Sequence, residues 1–315
     1  MTKLDMTSTA ISPAKDSSRA LLGYGACALA GCLWGTGFFW GKIALAEMSV
    51  GHMVLYRFLF ACPPLLFVLR RPTFSRHDWL LLLAASFFGF PVQYLIQFQG
   101  LSLTTVSHAA LMVGTMPVIL ALGASIFAHE RLDWKGWLAL AGSTTGVSLI
   151  VLGGTHHSGS GQDPTLTGDL LIVMSLIIAL AWILLNKRLM QRHSPMAVTA
   201  YGLLIGTAMI AVWVVLRNGL PPMHGVSTKA WLALAASGML CNAAAILLWN
   251  TGIHRVPASR AGVFLNIEPA LGSILGVKLL GEKLGPLAWV GGGLIVAAAI
   301  TLTIGGQGVE EVIVE

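Results

Sequence analysis

Ten apolar stretches of membrane-crossing length follow one another along the chain with short breaks between them, and few folds accommodate that pattern. They fall near residues 20–41, 50–69, 77–98, 104–127, 134–152, 168–189, 195–216, 229–251, 257–280 and 286–305, each bounded by Gly, Pro or charge. A bilayer core asks for about 20 apolar residues per helical crossing and offers no partner to a stray backbone group, so each stretch reads as a transmembrane helix. With 19 Lys+Arg and 13 Asp+Glu in 315 residues, and 56% apolar residues, the chain cannot cover the surface of a soluble domain. The expected fold class is an all-α integral membrane protein of ten transmembrane helices. The 36 glycines suit helices that must approach closely without a hydrophobic drive between them.

A net charge of +6 would suggest nucleic acid in a soluble protein, but no basic run exceeds Arg70-Arg71 or Lys187-Arg188. The charge lies between spans, where it sets topology; nucleic acid is not an expected partner, whereas the lipid bilayer is. Lys3, Lys15, Arg19, Arg70, Arg71, Arg76, Arg131, Lys135, Lys187, Arg188, Arg192 and Arg255 fall on one side, and Lys42, Arg217, Lys229, Lys278 and Lys283 on the other. That imbalance places both termini in the cytoplasm. The polar N-terminal stretch, with Lys3, Asp5, Lys15, Asp16 and Arg19, is too long and mixed for a signal peptide, so the first span is expected to remain as a helix. Cys27, Cys32, Cys62 and Cys241 sit in apolar stretches without CxxC spacing, and His156-His157 has no ligand partners at useful spacing. No metal site, disulfide or cofactor is expected.

The chain also repeats itself. A shift of 152 residues, without a gap, lays Trp79 on Trp231, Gly100 on Gly252, Ser107 on Ser259, Ala109 on Ala261, Pro117 on Pro269, Glu130 on Glu282, Leu132 on Leu284 and Trp137 on Trp289. At a slightly smaller offset Trp34 falls on Trp182 and Tyr56 on Tyr201. The chain divides into a tail (1–19), a first repeat (20–154), a Gly/Ser/Pro linker (155–167), a second repeat (168–306) and a second tail (307–315). Each repeat holds five spans. Because five is odd, the second copy enters the membrane from the opposite face, and inverted repeats of this kind are a transporter architecture.

Several motifs recur in order in both halves. Leu33-Trp34-Gly35 is followed by Lys42 and Arg57-Phe58; Ala258-Ser259-Arg260-Ala261 leads through Glu268-Pro269 to Gly281-Glu282-Lys283-Leu284. Their first-half counterparts are Ser107-His108-Ala109-Ala110, Met116-Pro117 and His129-Glu130-Arg131-Leu132. From residue 20 to 306 the chain resembles the paired EamA domains of the drug/metabolite transporter superfamily. It is most similar to bacterial exporters of amino acids and related metabolites, including the aromatic amino-acid exporter type. The resemblance implies ten helices, cytoplasmic termini, a multi-pass place in the bacterial inner membrane and a central cavity for a small-molecule cargo. It leaves a nucleotide-sugar, sugar-phosphate or drug-like cargo as the alternative.

Within that frame, particular residues stand out. Pro117 and Pro269 interrupt spans four and nine at matching positions, where each removes a backbone hydrogen bond, and paired interruptions point to a midplane site or hinge. Glu268 is the carboxylate well inside a span, so it is expected to face the interior and to hold a substrate ammonium or a proton, or to play a structural part beside Pro269. A proton is thus a second candidate partner. Gln93 with Gln97, and Asn242 with Trp249, share helical faces that cannot point at lipid, and Asn250 and Asn266 are weaker candidates of the same kind. Trp34 and Trp182, too deep for an interfacial belt, either wall an apolar cargo or pack. His108 and Arg260 sit at span ends, as gate residues or as snorkelling side chains. Lys42 and Arg57 read as topology or packing residues, with carboxylate binding the lesser role. No HExxH, no GxGD and no second deep acid accompany Glu268, so an enzyme is not expected.

Overall fold

Interruptions, more than lengths, organise the helices of this chain. The computed structural model describes residues 13–66, 69, 74–127, 134–152, 163–256 and 261–305, and all regular structure among them is helical. The first rod is broken at Thr36 into α1 (Pro13–Gly35) and α2 (Gly37–Leu45), where the Thr36 hydroxyl donates to Leu33 O (2.8 Å). α3 (Val50–Leu66) follows. The next rod runs through α4 (Arg76–Phe87), a π-helical turn (Phe88–Val92) and α5 (Gln93–Ser102). α6 (Val106–Val113) and α7 (Met116–Phe127) are separated at Gly114-Thr115, and α8 (Trp134–Leu152) closes the first half.

The second half holds α9 (Leu166–Met190) and α10 (Pro195–Asn218), then α11 (Thr228–Ala236), a π-helical stretch (Ser237–Ala244) and α12 (Ala245–Ile253). A 3-10 stretch (Gly262–Asn266), α13 (Ile267–Leu279) and α14 (Pro286–Gly305) follow. Side-chain caps begin many of these helices: Ser75, Thr105, Thr165, Ser194 and Ser227 each accept from a backbone N–H of the first turn. Among the described residues, five helical runs are long and apolar enough to cross a membrane: Ala20–Leu45, Arg76–Ser102, Leu166–Met190, Pro195–Asn218 and Thr228–Ile253. Shorter apolar helices, among them Val50–Leu66 and Pro286–Ala298, accompany them.

The packing obeys the repeat. α1 lies along α12 and its counterpart α9 along α5; α3 packs on the 237–244 stretch as α10 packs on 88–92. Three further extensive pairs join an element to its own repeat mate: α3 with α10, α6 with α13, and α8 with α14. Two glycines explain the last pair. A Cβ on Gly146 would meet Gly291 O, and a Cβ on Gly291 would meet Gly146 O, so the two backbones touch. The π-helical segments also correspond, since a shift of 152 carries 88–92 onto 240–244. Such segments gather at functional sites, and nothing in the apolar pattern marks them.

On one face, the turn after α2 is tied to the other half: Ser227 N and Oγ donate to Glu47 Oε2 (2.6 Å) and Oε1 (2.5 Å). These bonds, the hydroxyl's foremost, hold the Glu47 carboxyl below its ordinary range, with Lys229 adding to the effect. A depressed carboxyl contributes stability that is present above about pH 4.3 and is lost as pH falls through the folded value. Glu47→Gln removes the titrating group and keeps Ser227 as the α11 cap. Melting temperature followed from pH 6 to pH 3 is therefore expected to fall less steeply in Glu47→Gln than in the parent; parallel curves contradict the assignment.

Candidate functional site

A cavity lies where the interrupted rods meet. Its walls come from both halves: Trp34, Phe38 and Arg57, then Gly89, Phe90, Gln93, Tyr94, Gln97 and Phe98, then Val113 and Met116, and from the second half Leu176, Trp182, Ile183, Ile246, Trp249, Leu265 and Glu268. Its interior volume is about 90 Å³, below the roughly 300–1,000 Å³ of small-molecule pockets. Seven aromatic residues stand in the wall. Trp34 and Trp249 meet at 5.5 Å between centroids, and Phe90 packs against Trp182 at 6.3 Å. The Trp182 indole occupies the space a Cβ on Gly89 would need, so the glycine admits the ring to the wall.

Of its two sequence readings, topology or packing, Arg57 shows packing. It lies on the buried stripe of α3 with Met53, Val54, Ala61 and Leu65, is 3% exposed, and lines the cavity. Its Nε donates to Asn242 Oδ1 (2.9 Å), and its guanidinium lies over the rings of Tyr94 (5.2 Å) and Phe98 (4.7 Å). Glu268, half-buried, opens onto the same cavity. The position of Arg57 was legible in principle, since a charge on the apolar stripe of a span must face protein.

Of the remaining sequence candidates, Trp34, Gln93, Gln97, Trp182 and Trp249 line the cavity with Glu268. Asn242, wholly buried, stands behind the wall as the tether of Arg57, and Asn266 is buried near Glu268 in sequence but outside the lining. Several buried polar atoms are left over: Gln93 Oε1, Trp249 Nε1, Asn242 Nδ2 and both amide atoms of Asn266 have no partner among the described residues. Such atoms cost free energy in an apolar surround and mark where a ligand's polar groups could bond. Pro117 and Pro269 stand in the first turns of α7 and α13 rather than in the middle of a continuous helix. There a missing N–H costs little, because the break has already been made upstream. At Gly114-Thr115 the backbone is satisfied by turn bonds, with Thr115 N and Oγ1 both donating to Met112 O (3.0 and 2.8 Å). Arg260, and the motifs at 129–131 and 258–259, lie outside the described residues.

A polar cluster lies beyond the cavity along the same rods. Val106 N and Ser107 N, at the start of α6, each donate to a different oxygen of Glu282 at 2.8 Å. Gly281 makes this possible: its φ of 69° ends α13 in the left-handed turn, with Glu282 N returning to Gly276 O (3.1 Å). Lys42 Nζ donates to Leu101 O (3.0 Å) and Thr104 O (2.7 Å). Asp169 accepts from the Thr104 hydroxyl (2.6 Å) and meets His108 Nδ1 at 3.2 Å. His108 is thus buried and paired, not snorkelling. Lys42 follows the cavity residue Phe38 by four positions, and Leu101 follows Phe98 by three, so the cluster sits roughly 5–6 Å further along each rod at 1.5 Å per residue. At the opposite end of α4, Asp78 binds Arg192 Nη1 (3.0 Å) and His193 Nε2 (3.1 Å).

A helical membrane protein with an aromatic, singly basic and singly acidic cavity between two homologous halves is the class that fold and site define. The profile of the EamA-like transporter family matches residues 21–152 and 166–304, once in each half, and the chain belongs to that family. It is 26% identical over 286 residues to an uncharacterized transporter of Archaeoglobus fulgidus, covering 89% of this chain and 96% of that one. It is 26% identical over 198 residues to a probable terminal-alkyne amino-acid exporter of Streptantibioticus cattleyicolor, covering 62% and 63%. A crystal structure superposes with a TM-score of 0.64 at 21% identity, over 91% of this chain and 97% of that chain, and shares the fold. The protein is a membrane transporter, not an enzyme.

Proposed function

We propose that this transporter exports amino acids, apolar and aromatic ones included, or closely related small metabolites, from the bacterial cytoplasm across the inner membrane by alternating access. Ten spans in two inverted repeats, 20–154 and 168–306, carry it, with 155–167 outside and both tails in the cytoplasm. The single observation that supports this reading most is the composition of the cavity: among the described residues one cation, Arg57, and one acid, Glu268, beside aromatic rings at the level where the rods are interrupted. A sugar phosphate or nucleotide sugar would bring two or more negative charges to a site holding one cation beside a carboxyl group. A zwitterion with an apolar side chain matches it in charge and in surface. Paired helix breaks supply compliance at the same depth, as alternating access requires. The amino-acid exporter among the relatives supports the same class.

Purified protein in liposomes is expected to accelerate counterflow of L-phenylalanine and L-leucine and to leave UDP-glucose and glucose 6-phosphate at the rate of empty vesicles. The reverse pattern overturns the cargo. Topology is tested separately, with single cysteines at Ser8, Ser160 and Val312 in intact cells. A membrane-impermeant maleimide is expected to label position 160 and to spare the other two; labelling of a terminus with sparing of the linker overturns the inverted arrangement.

A further inference from the structure

We propose that Arg57 and Glu268 form a two-ended clamp that recognises a free α-amino acid by both of its charges, with Arg57 taking the carboxylate and Glu268 the ammonium. The proposal rests on the amino-acid reading above and adds to it which residues read the backbone of the cargo. Both side chains open onto one cavity, from α3 and from α13, and among the described residues no ion pair joins them. Arg57 is held rather than free. Asn242 fixes its Nε, and Tyr94 and Phe98 lie against its guanidinium, so its terminal Nη groups remain for a ligand in a set orientation. A forked guanidinium presenting two parallel N–H groups is the geometry that binds a carboxylate in bidentate fashion.

Two unpartnered atoms of the same wall have the matching polarity. Trp249 Nε1 can only donate, and Gln93 Oε1 can only accept. The first suits a carboxylate oxygen and the second an ammonium hydrogen. A cargo lacking one charge leaves either Arg57 or Glu268 without a counter-charge in a site walled by aromatic rings, which is where discrimination between otherwise similar ligands is strongest. The clamp therefore rejects amines and acids of the same shape, whatever side chain the aromatic wall accepts.

The test uses the full-length protein in liposomes, with uptake of labelled L-phenylalanine as the signal. The competitors are unlabelled L-phenylalanine, L-phenylalaninamide, which lacks the carboxylate, and 3-phenylpropionate, which lacks the ammonium. The parent protein is expected to prefer the amino acid over each analogue by about tenfold to a hundredfold. Arg57→Gln is expected to lose the preference over the amide and to keep that over phenylpropionate; Glu268→Gln is expected to do the opposite. If Arg57→Gln fails to fold, Asn242→Ala, which frees the guanidinium, is expected to weaken discrimination against the amide while leaving that against phenylpropionate. Equal competition by all three compounds on the parent overturns the clamp even though amino-acid transport stands. Failure of the parent to carry L-phenylalanine, L-leucine or any other amino acid overturns the functional reading, and the clamp with it.

Discussion

Glu282→Ala is expected to loosen the packing of α6 at the cluster beyond the cavity and to let water in from that side. Its carboxylate is 7% exposed and receives two backbone N–H groups of α6, each at 2.8 Å. Hydrogen bonds to a charged group contribute about 1.5–3 kcal/mol each, and an anion at a helix N-terminus adds about 0.3–1. In the variant, the two N–H groups stay buried unless that face admits water, so the loss falls on the closed conformation and not on the open one. About 3 kcal/mol of difference shifts the populations on the order of a hundredfold. A cysteine at Val113, in the cavity wall, is expected to react with a membrane-impermeant maleimide from the Glu282 side at least about tenfold faster in the Glu282→Ala background. Transport is expected to slow, because the variant returns reluctantly to the closed form. Unchanged reactivity would mean that Glu282 caps a helix and seals nothing.

Gly238→Val is expected to have the largest effect on stability. Gly238 lies in the π-helical stretch against α3, and a Cβ there would collide with Arg57 O while standing 2.7 Å from Phe60 Cβ and 3.2 Å from Ala61 N. Backbone atoms cannot rotate aside, so the helices must separate. Forced overpacking costs about 1–3 kcal/mol when side chains can yield, and this site sits at or above the upper limit. Arg57 shifts with its carbonyl, so binding is expected to fail along with stability. Gly25→Ala is the control, since a Cβ there meets nothing within 4 Å. Melting in detergent is expected to drop by many degrees for Gly238→Val and to stay level or rise slightly for Gly25→Ala.

The helical membrane character and the repeat were legible because both are written in long patterns: apolar runs of bilayer length, and a gapless shift that aligns Trp79 with Trp231 and Glu130 with Glu282. The amide and tryptophan candidates could be selected because an amide facing lipid is costly, and that rule needs no knowledge of partners. Of the two parts of the Arg57 reading, topology or packing, the structure favours packing. The residue's place near the end of an apolar run suggested an interfacial charge, whereas its stripe neighbours Met53, Val54, Ala61 and Leu65 turn it inward. The polar cluster was out of reach, since it joins Lys42, Thr104, Asp169 and Glu282 from four distant segments and depends on tertiary approach alone. The prolines were read as interruptions in the middle of spans four and nine; the breaks themselves fall at Gly114-Thr115 and across 262–266, just before them, where local turn bonds decide the geometry.

Alternating exposure of one cavity by movement at the Glu282 end is the central claim, and a distance measurement across that end tests it most directly. Gln99 and Lys278 are exposed residues from the two halves on either side of the polar cluster. Spin labels at these positions, read by double electron–electron resonance in lipid nanodiscs, are expected to give two distance populations. L-Phenylalanine is expected to redistribute them, and Glu282→Ala to favour the longer. A single distribution that neither the amino acid nor Glu282→Ala alters, in protein that still transports, contradicts the account.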